Sequence, residues 1–159
     1  MEINIENNSK FKRIYKKQIE RAIKYVLMQE SKKRNKIYKN FLKKVGIDNI
    51  VVNLLLTADK QIKKYNKKYL GCNTPTDVIA FSMIEDDVIP NNNVLGDIII
   101  SLETVKRNSE KYNTGFKNEL MLVVIHGILH LLGYDHPSED SVMRKKEKEY
   151  LQCITKIKE

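Results

Sequence analysis

Phe116-Lys-Asn-Glu-Leu-Met-Leu-Val-Val-Ile-His126-Gly-Ile-Leu-His130-Leu-Leu-Gly133 is the most apolar helical stretch in this 159-residue chain. Its hydrophobic residues fall on every side of a 3.6-residue period. A helix apolar all round must be surrounded by protein or by lipid. Asn113-Thr114-Gly115 breaks the pattern before it, and Gly133 stops it where a left-handed residue is wanted. It is too short of uninterrupted apolar residues for a membrane span, since no run reaches about eighteen. The rest of the chain therefore has to wrap around it.

Upstream, residues 94–101 and 50–56 are β-branched and apolar, as buried strands are. Residues 78–83 read as a third strand and residues 2–6 as a fourth, with Ile3 and Ile5 alternating against Asn4 and Glu6. Helical spacing recurs from Ser9, the expected cap, to about residues 29–31. Residues 32–44 are basic and only weakly periodic, allowing a second short helix stopped at Gly46. Thr57 or Asp59 is placed to cap a helix running to Tyr69, and another spans about 102–112. Residues 71–75 and 85–93 are loops. Downstream, a charged helix over about 138–154 closes the chain. The expectation is an α+β fold, with a small mixed β-sheet packed with helices around the central buried helix.

Composition narrows the class further. Hydrophobic residues make up 42% and charged residues 31%, which excludes disordered and collagen-like chains. A chain of this length buries enough surface to fold without staples. No signal peptide is visible at the start, and two isolated cysteines, Cys72 and Cys153, fit a reducing cytoplasm. The net charge is +9 and unevenly placed: residues 1–70 hold 19 Lys and Arg against 6 Asp and Glu, whereas residues 71–159 hold 10 against 14. A basic half suits a polyanion. Lys outnumbers Arg 24 to 5, a bias that an AT-rich genome also produces, so charge alone leaves the partner open.

All three histidines lie in one window, His126-Gly-Ile-Leu-His130-Leu-Leu-Gly-Tyr-Asp-His136. His126 and His130, at i and i+4, project from one helix face. A turn at Gly133 can bring His136 to the same point. Three imidazoles with a fourth position open form the ligand set of a catalytic zinc site. The spacing agrees with the H-E-x-x-H-x-x-G-x-x-H pattern of metzincin peptidases at each histidine and at the glycine. Gly127 stands where those enzymes carry their general-base Glu. Peptide hydrolysis needs that proton relay, whereas a phosphodiester leaving group can be served by metal and Lys.

With these residues assembled, the chain resembles the YbeY family of bacterial endoribonucleases. The zinc motif agrees over its whole length. Pro75-Thr76-Asp77-Val78-Ile79-Ala80-Phe81 is similar to the family's PTDVLSF segment, and Leu95-Gly96-Asp97-Ile98-Ile99-Ile100-Ser101 to its LGDI-x-IS strand. Glu119-Leu120 and Met143 also fall in place. The resemblance covers about residues 50–150. It implies one metal-dependent endoribonuclease domain over 1–159, cytoplasmic, with one zinc ion per chain on His126, His130 and His136. It further implies single-stranded RNA as substrate, maturation of the 3′ end of small-subunit rRNA, and ribosome quality control, with no membrane or DNA partner. One departure stands out: the family's usual Arg, held to grip the RNA phosphate, is Leu70 here. Lys67 and Lys68 are candidates to supply that charge. Two alternatives remain, a zinc hydrolase of another substrate such as an atypical metallopeptidase, or a ribosome-associated metal-binding factor with weak catalysis.

Other residues carry two readings each. Asp135 either orients a ligand imidazole or caps the turn after Gly133. Asp77 and Asp97 suit strand-end hydrogen bonds, and Glu119 either faces the histidines or serves the helix start. Tyr65 and Tyr69 among Lys63, Lys64, Lys67 and Lys68 either stack bases or pack inward. Cys72 could reach the metal only if its loop folds over the site, which is not expected.

Overall fold

The computed structural model describes residues 1–84, 92–134 and 142–156. Among these residues four strands, β1 (Glu2–Asn7), β2 (Val51–Thr57), β3 (Val78–Ser82) and β4 (Val94–Ser101), form one sheet in the order β1-β2-β4-β3. β1, β2 and β4 run parallel, and β3 pairs antiparallel with β4 along the far edge. The sheet is mixed and the fold is α+β.

Among the described residues six α-helices accompany it: α1 (Lys16–Ser31), α2 (Lys36–Val45), α3 (Asp59–Leu70), α4 (Leu102–Lys111), α5 (Phe116–Leu131) and α6 (Val142–Lys156). Period-two alternation on the strands decides which face each side chain takes. Val52, Leu54, Leu56, Ile98 and Ile100 join the main core with residues of α1, α2, α4, α5 and α6. Leu55, Ile79, Phe81 and Ile99 point to the opposite face, where Ile62 and Tyr65 of α3 cover part of it. α5 is the central helix, with ten buried positions between 119 and 131. At a rough 25 cal/mol per Å², each of its buried aliphatic side chains contributes about 1.5–3 kcal/mol of transfer free energy.

Several boundaries differ from those expected. Ser9 does not cap α1: Asn7 Oδ1 accepts from both the Ser9 backbone N–H and its hydroxyl, the Ser9 Oγ accepts from the Phe11 N–H, and Asn7 Nδ2 donates to the Phe11 carbonyl. This side-chain turn competes with a helix, so α1 begins only after Tyr15, which sits at φ 54°. Phe11 still reaches the core by stacking on Phe116, with centroids 5.5 Å apart. The basic stretch is a full helix because Asn35 caps it, its side chain accepting from the Tyr38 N–H at 3.0 Å. Neither Thr57 nor Asp59 caps α3; Ala58 holds that position, and the Asp59 N–H is taken by Glu103 Oε2 from α4. The polar turn over 85–93 lies mostly outside the described residues, as does the start expected for the last helix.

Candidate functional site

α5 packs against β3 and β4 and carries the first two histidines. Its C-terminus closes as the sequence requires. Gly133 takes φ 83°, its N–H donates to the His130 carbonyl, and the Tyr134 N–H reaches the Leu129 carbonyl, both at 3.0 Å. These are the paired bonds of a Schellman stop. The Ser82 hydroxyl donates to the Leu131 carbonyl at 2.8 Å, tying the end of β3 to the same turn.

The imidazoles of His126 and His130 converge. Their Nε2 atoms are 3.1 Å apart, and the rings meet nearly edge to face with centroids at 4.6 Å. Both side chains are partly buried. His126 Nδ1 lies 2.8 Å from Glu147 Oε1 of α6. A carboxylate there fixes the tautomer with Nδ1–H toward Glu147 and leaves Nε2 as the electron-pair donor. Two nitrogens each about 2.0–2.1 Å from one tetrahedral zinc would lie about 3.4 Å apart, close to the separation found. The pair therefore fits a metal of this kind. Among the described residues no group of three metal-ligating side chains occurs. His136 and Asp135 lie outside the described residues.

Glu147 was not singled out from sequence. It lies on another helix, 21 positions after His126, and no local spacing connects the two. Its neighbour Lys146 enters a second arrangement. Glu30 of α1, fully buried, accepts from Lys146 Nζ at 2.7 Å, from the Tyr134 hydroxyl at 2.6 Å and from the Tyr150 hydroxyl. Burial opposes its ionisation, but hydrogen bonds from Lys146, Tyr134 and Tyr150 and the Lys146 charge hold the carboxyl below its ordinary range. Burial, with the adjoining Glu30 charge, pushes the Tyr134 and Tyr150 hydroxyls far up. Tyr134 is the residue from which the chain leaves toward His136, so α1 and α6 together pin the start of that segment.

Gly127 proves to be a packing position. A Cβ there would come within 2.9 Å of Ile98 Cγ2 on β4. A side chain at 127 would press on Ile98, so none fits there unless Ile98 gives way.

The remaining candidates divide. Asp77 is a strand-start turn residue, its Oδ1 accepting from the Val78 N–H at 2.8 Å. Glu119 is buried and bonded to the Thr114 hydroxyl at 2.7 Å, serving the start of α5. Asp97 accepts from Asn53 Nδ2 at 2.8 Å in mid-sheet. Lys67 and Lys68 are exposed in the last turn of α3, and Leu70 follows, 60% exposed. Tyr65 and Tyr69 stack, with centroids 6.3 Å apart, and Tyr69 stays half exposed with Lys68 Nζ 4.9 Å from its ring. Cys72 is free and exposed.

Comparison with known proteins bears on the chain as a whole. The family model described as endoribonuclease YbeY matches residues 4–155. A protein from Petrotoga mobilis named endoribonuclease YbeY is 34% identical over 145 residues, covering 91% of this chain and 87% of that protein. One of the same name from Fusobacterium nucleatum is 39% identical over 142 residues, covering 82% and 88%. Another, from Syntrophus aciditrophicus, is 45% identical, and the match spans only 64% of that protein. A solution structure from Thermotoga maritima is similar at a TM-score of 0.55 and 34% identity, over 96% of this chain and 88% of that one. The family model spanning nearly the whole chain, together with relatives matched over most of their own length, shows that this chain belongs to the endoribonuclease YbeY family.

Proposed function

We propose that this protein is a zinc-dependent, single-strand-specific endoribonuclease of the cytoplasm, acting on the 3′ end of small-subunit rRNA in ribosome maturation and quality control. The observation that carries the reading is the 3.1 Å approach of the His126 and His130 Nε2 atoms, with Glu147 behind His126. Family membership supplies the RNA substrate. His126 and His130 would hold one zinc ion, with His136 as the third ligand.

When bound, zinc supplies the Lewis acid that activates water and polarises the phosphodiester. This chain's own part is positional. Glu147 holds the His126 ring in the ligating tautomer, and the Schellman turn starts the segment that carries His136. Asp135, beside that histidine, is the remaining candidate for orienting it. Lys67 and Lys68 lie at the end of α3, where their ammonium groups can meet a backbone phosphate as point charges.

Gly127 disfavours a peptidase, since its position faces Ile98. Leu70 favours the second reading, a ribosome-associated metal-binding factor with weak catalysis, because an exposed Leu cannot fork onto a phosphate. End-labelled RNA spanning the 3′ end of small-subunit rRNA separates the two. Cleavage by zinc-loaded wild type, abolished by chelator and absent in His130→Ala, is expected. A filled metal site with no cleavage would leave the binding factor.

A further inference from the structure

We propose that the open face of the sheet beside α3 is a subsite for an unpaired RNA base, selecting bases that carry an exocyclic amino group. The inference rests on the endoribonuclease reading and names how its substrate is recognised away from the histidines. A cleft of about 760 Å³ lies there, floored by Asn4, Asn53 and Asp97 and walled by Tyr65, Tyr69 and Phe81. It lies on the opposite face from the histidine helix, and β3 links the two: Phe81 precedes Ser82, whose hydroxyl holds the Leu131 carbonyl one residue beyond His130.

The floor is built in register. Asn4 lies opposite Asn53, and Asn53 opposite Asp97, on three adjacent strands. Asn4 Nδ2 donates to Asn53 Oδ1 at 3.0 Å, and Asn53 Nδ2 donates to Asp97 Oδ1 at 2.8 Å. A carboxylate only accepts, so Asp97 fixes which way the Asn53 amide points, and Asn53 fixes Asn4. Asp97 lines the cleft, and among the described residues only its Oδ1 has a hydrogen-bond partner, which leaves Oδ2 as an acceptor. Cytosine, adenine and guanine can donate an amino N–H to it; uracil held in cytosine's pose presents its O4 carbonyl there, an acceptor facing an acceptor, and would have to turn to offer its ring N3–H.

The wall and the charge agree with a base rather than an apolar ligand. Tyr69 is 52% exposed yet held, stacked at 12° to Tyr65 and edge-on to Phe81 with centroids 5.1 Å apart. A fixed, accessible ring is a stacking platform. Exposed Lys63, Lys64, Lys67 and Lys68 line the same helix, and Lys16 stands on the cleft's rim, so a phosphate backbone following the base meets positive charge.

The test is fluorescence anisotropy with short labelled oligocytidylate and oligouridylate on the zinc-loaded full chain, the same samples being run on gels to score cutting. Wild type should bind oligocytidylate more tightly than oligouridylate. Tyr69→Ala should weaken both by about tenfold. Asp97→Asn keeps an acceptor for Asn53 and should abolish the preference while retaining oligouridylate binding. No binding of either RNA by wild type, or cleft variants that bind both RNAs as wild type does, would overturn the inference; in the latter case, loss of a protein partner by those variants would assign the face to protein docking. Binding with the preference but without cutting would sink the nuclease reading and leave the subsite. Cutting with unaltered binding in the variants would do the reverse.

Discussion

Glu147 shows how one side chain sets the character of another. A lone helical pair at i and i+4 can be two core histidines, but a carboxylate on Nδ1 of one directs its Nε2 toward the other. Glu147→Gln keeps a hydrogen bond and loses the charge, so zinc affinity should fall about 10–100-fold, read by competition with a chromophoric chelator. His126→Ala should lose the metal altogether, and unchanged occupancy in that variant would remove the site. At Gly127 the constraint is steric. Gly127→Ala gains helix propensity of about 1 kcal/mol but presses a methyl into Ile98, and overpacking costs about 1–3 kcal/mol. Urea unfolding should show net destabilisation; a more stable variant would mean that β4 gives way easily.

At the scale of elements, helix ends decide where functional atoms lie. α5 stops at Gly133 in the left-handed region, with open space where a Cβ would stand. Gly133→Ala should therefore cost about 1–2 kcal/mol from backbone strain alone. Because the same turn launches the segment carrying His136, metal affinity should fall with it. Thermal melts with and without zinc measure both, and a variant matching wild type in each would refute the coupling. α2 depends similarly on Asn35, whose amide also donates to the Leu132 carbonyl at the end of α5. One cap thus orders a helix and ties it to the site helix, a connection absent from any local pattern.

Across the whole molecule, the buried Glu30 joins α1, the turn after α5, and α6. Glu30→Gln leaves Lys146 without its charge partner and should destabilise by about 3 kcal/mol near neutral pH. The pH dependence has a definite sign. The folded carboxyl ionises below its ordinary 4.5, so its contribution is complete above that value and disappears as pH falls through the lowered one. Asp59 behaves alike: burial opposes its ionisation, but hydrogen bonds from Ser101, Arg107 and Thr104 and the Arg107 charge keep it low. The stability gap between wild type and Glu30→Gln should narrow as the pH drops below about 4.5. A gap constant to pH 3, followed by denaturant melts, would show that Glu30 acts by shape rather than charge.

The local code determined a good deal by itself. Hydrophobic period distinguished four strands from the helices, an all-round apolar helix had to be central, and Gly133 marked its end. The histidine spacing put two imidazoles on one face, because the helical repeat is fixed by backbone geometry. Other features depended on distant partners. Ser9 looked like a cap, yet Asn7 claimed its hydroxyl and N–H, since side-chain turns and helices compete for the same groups. Asp59 looked like a cap as well, but a carboxylate from α4 took its N–H and three side chains took its oxygens. Glu147 behind His126, Glu30 behind Tyr134 and the Asn4–Asn53–Asp97 row all join residues far apart in the chain. Strand register and helix packing alone bring them within hydrogen-bond reach, and no sequence period encodes those separations.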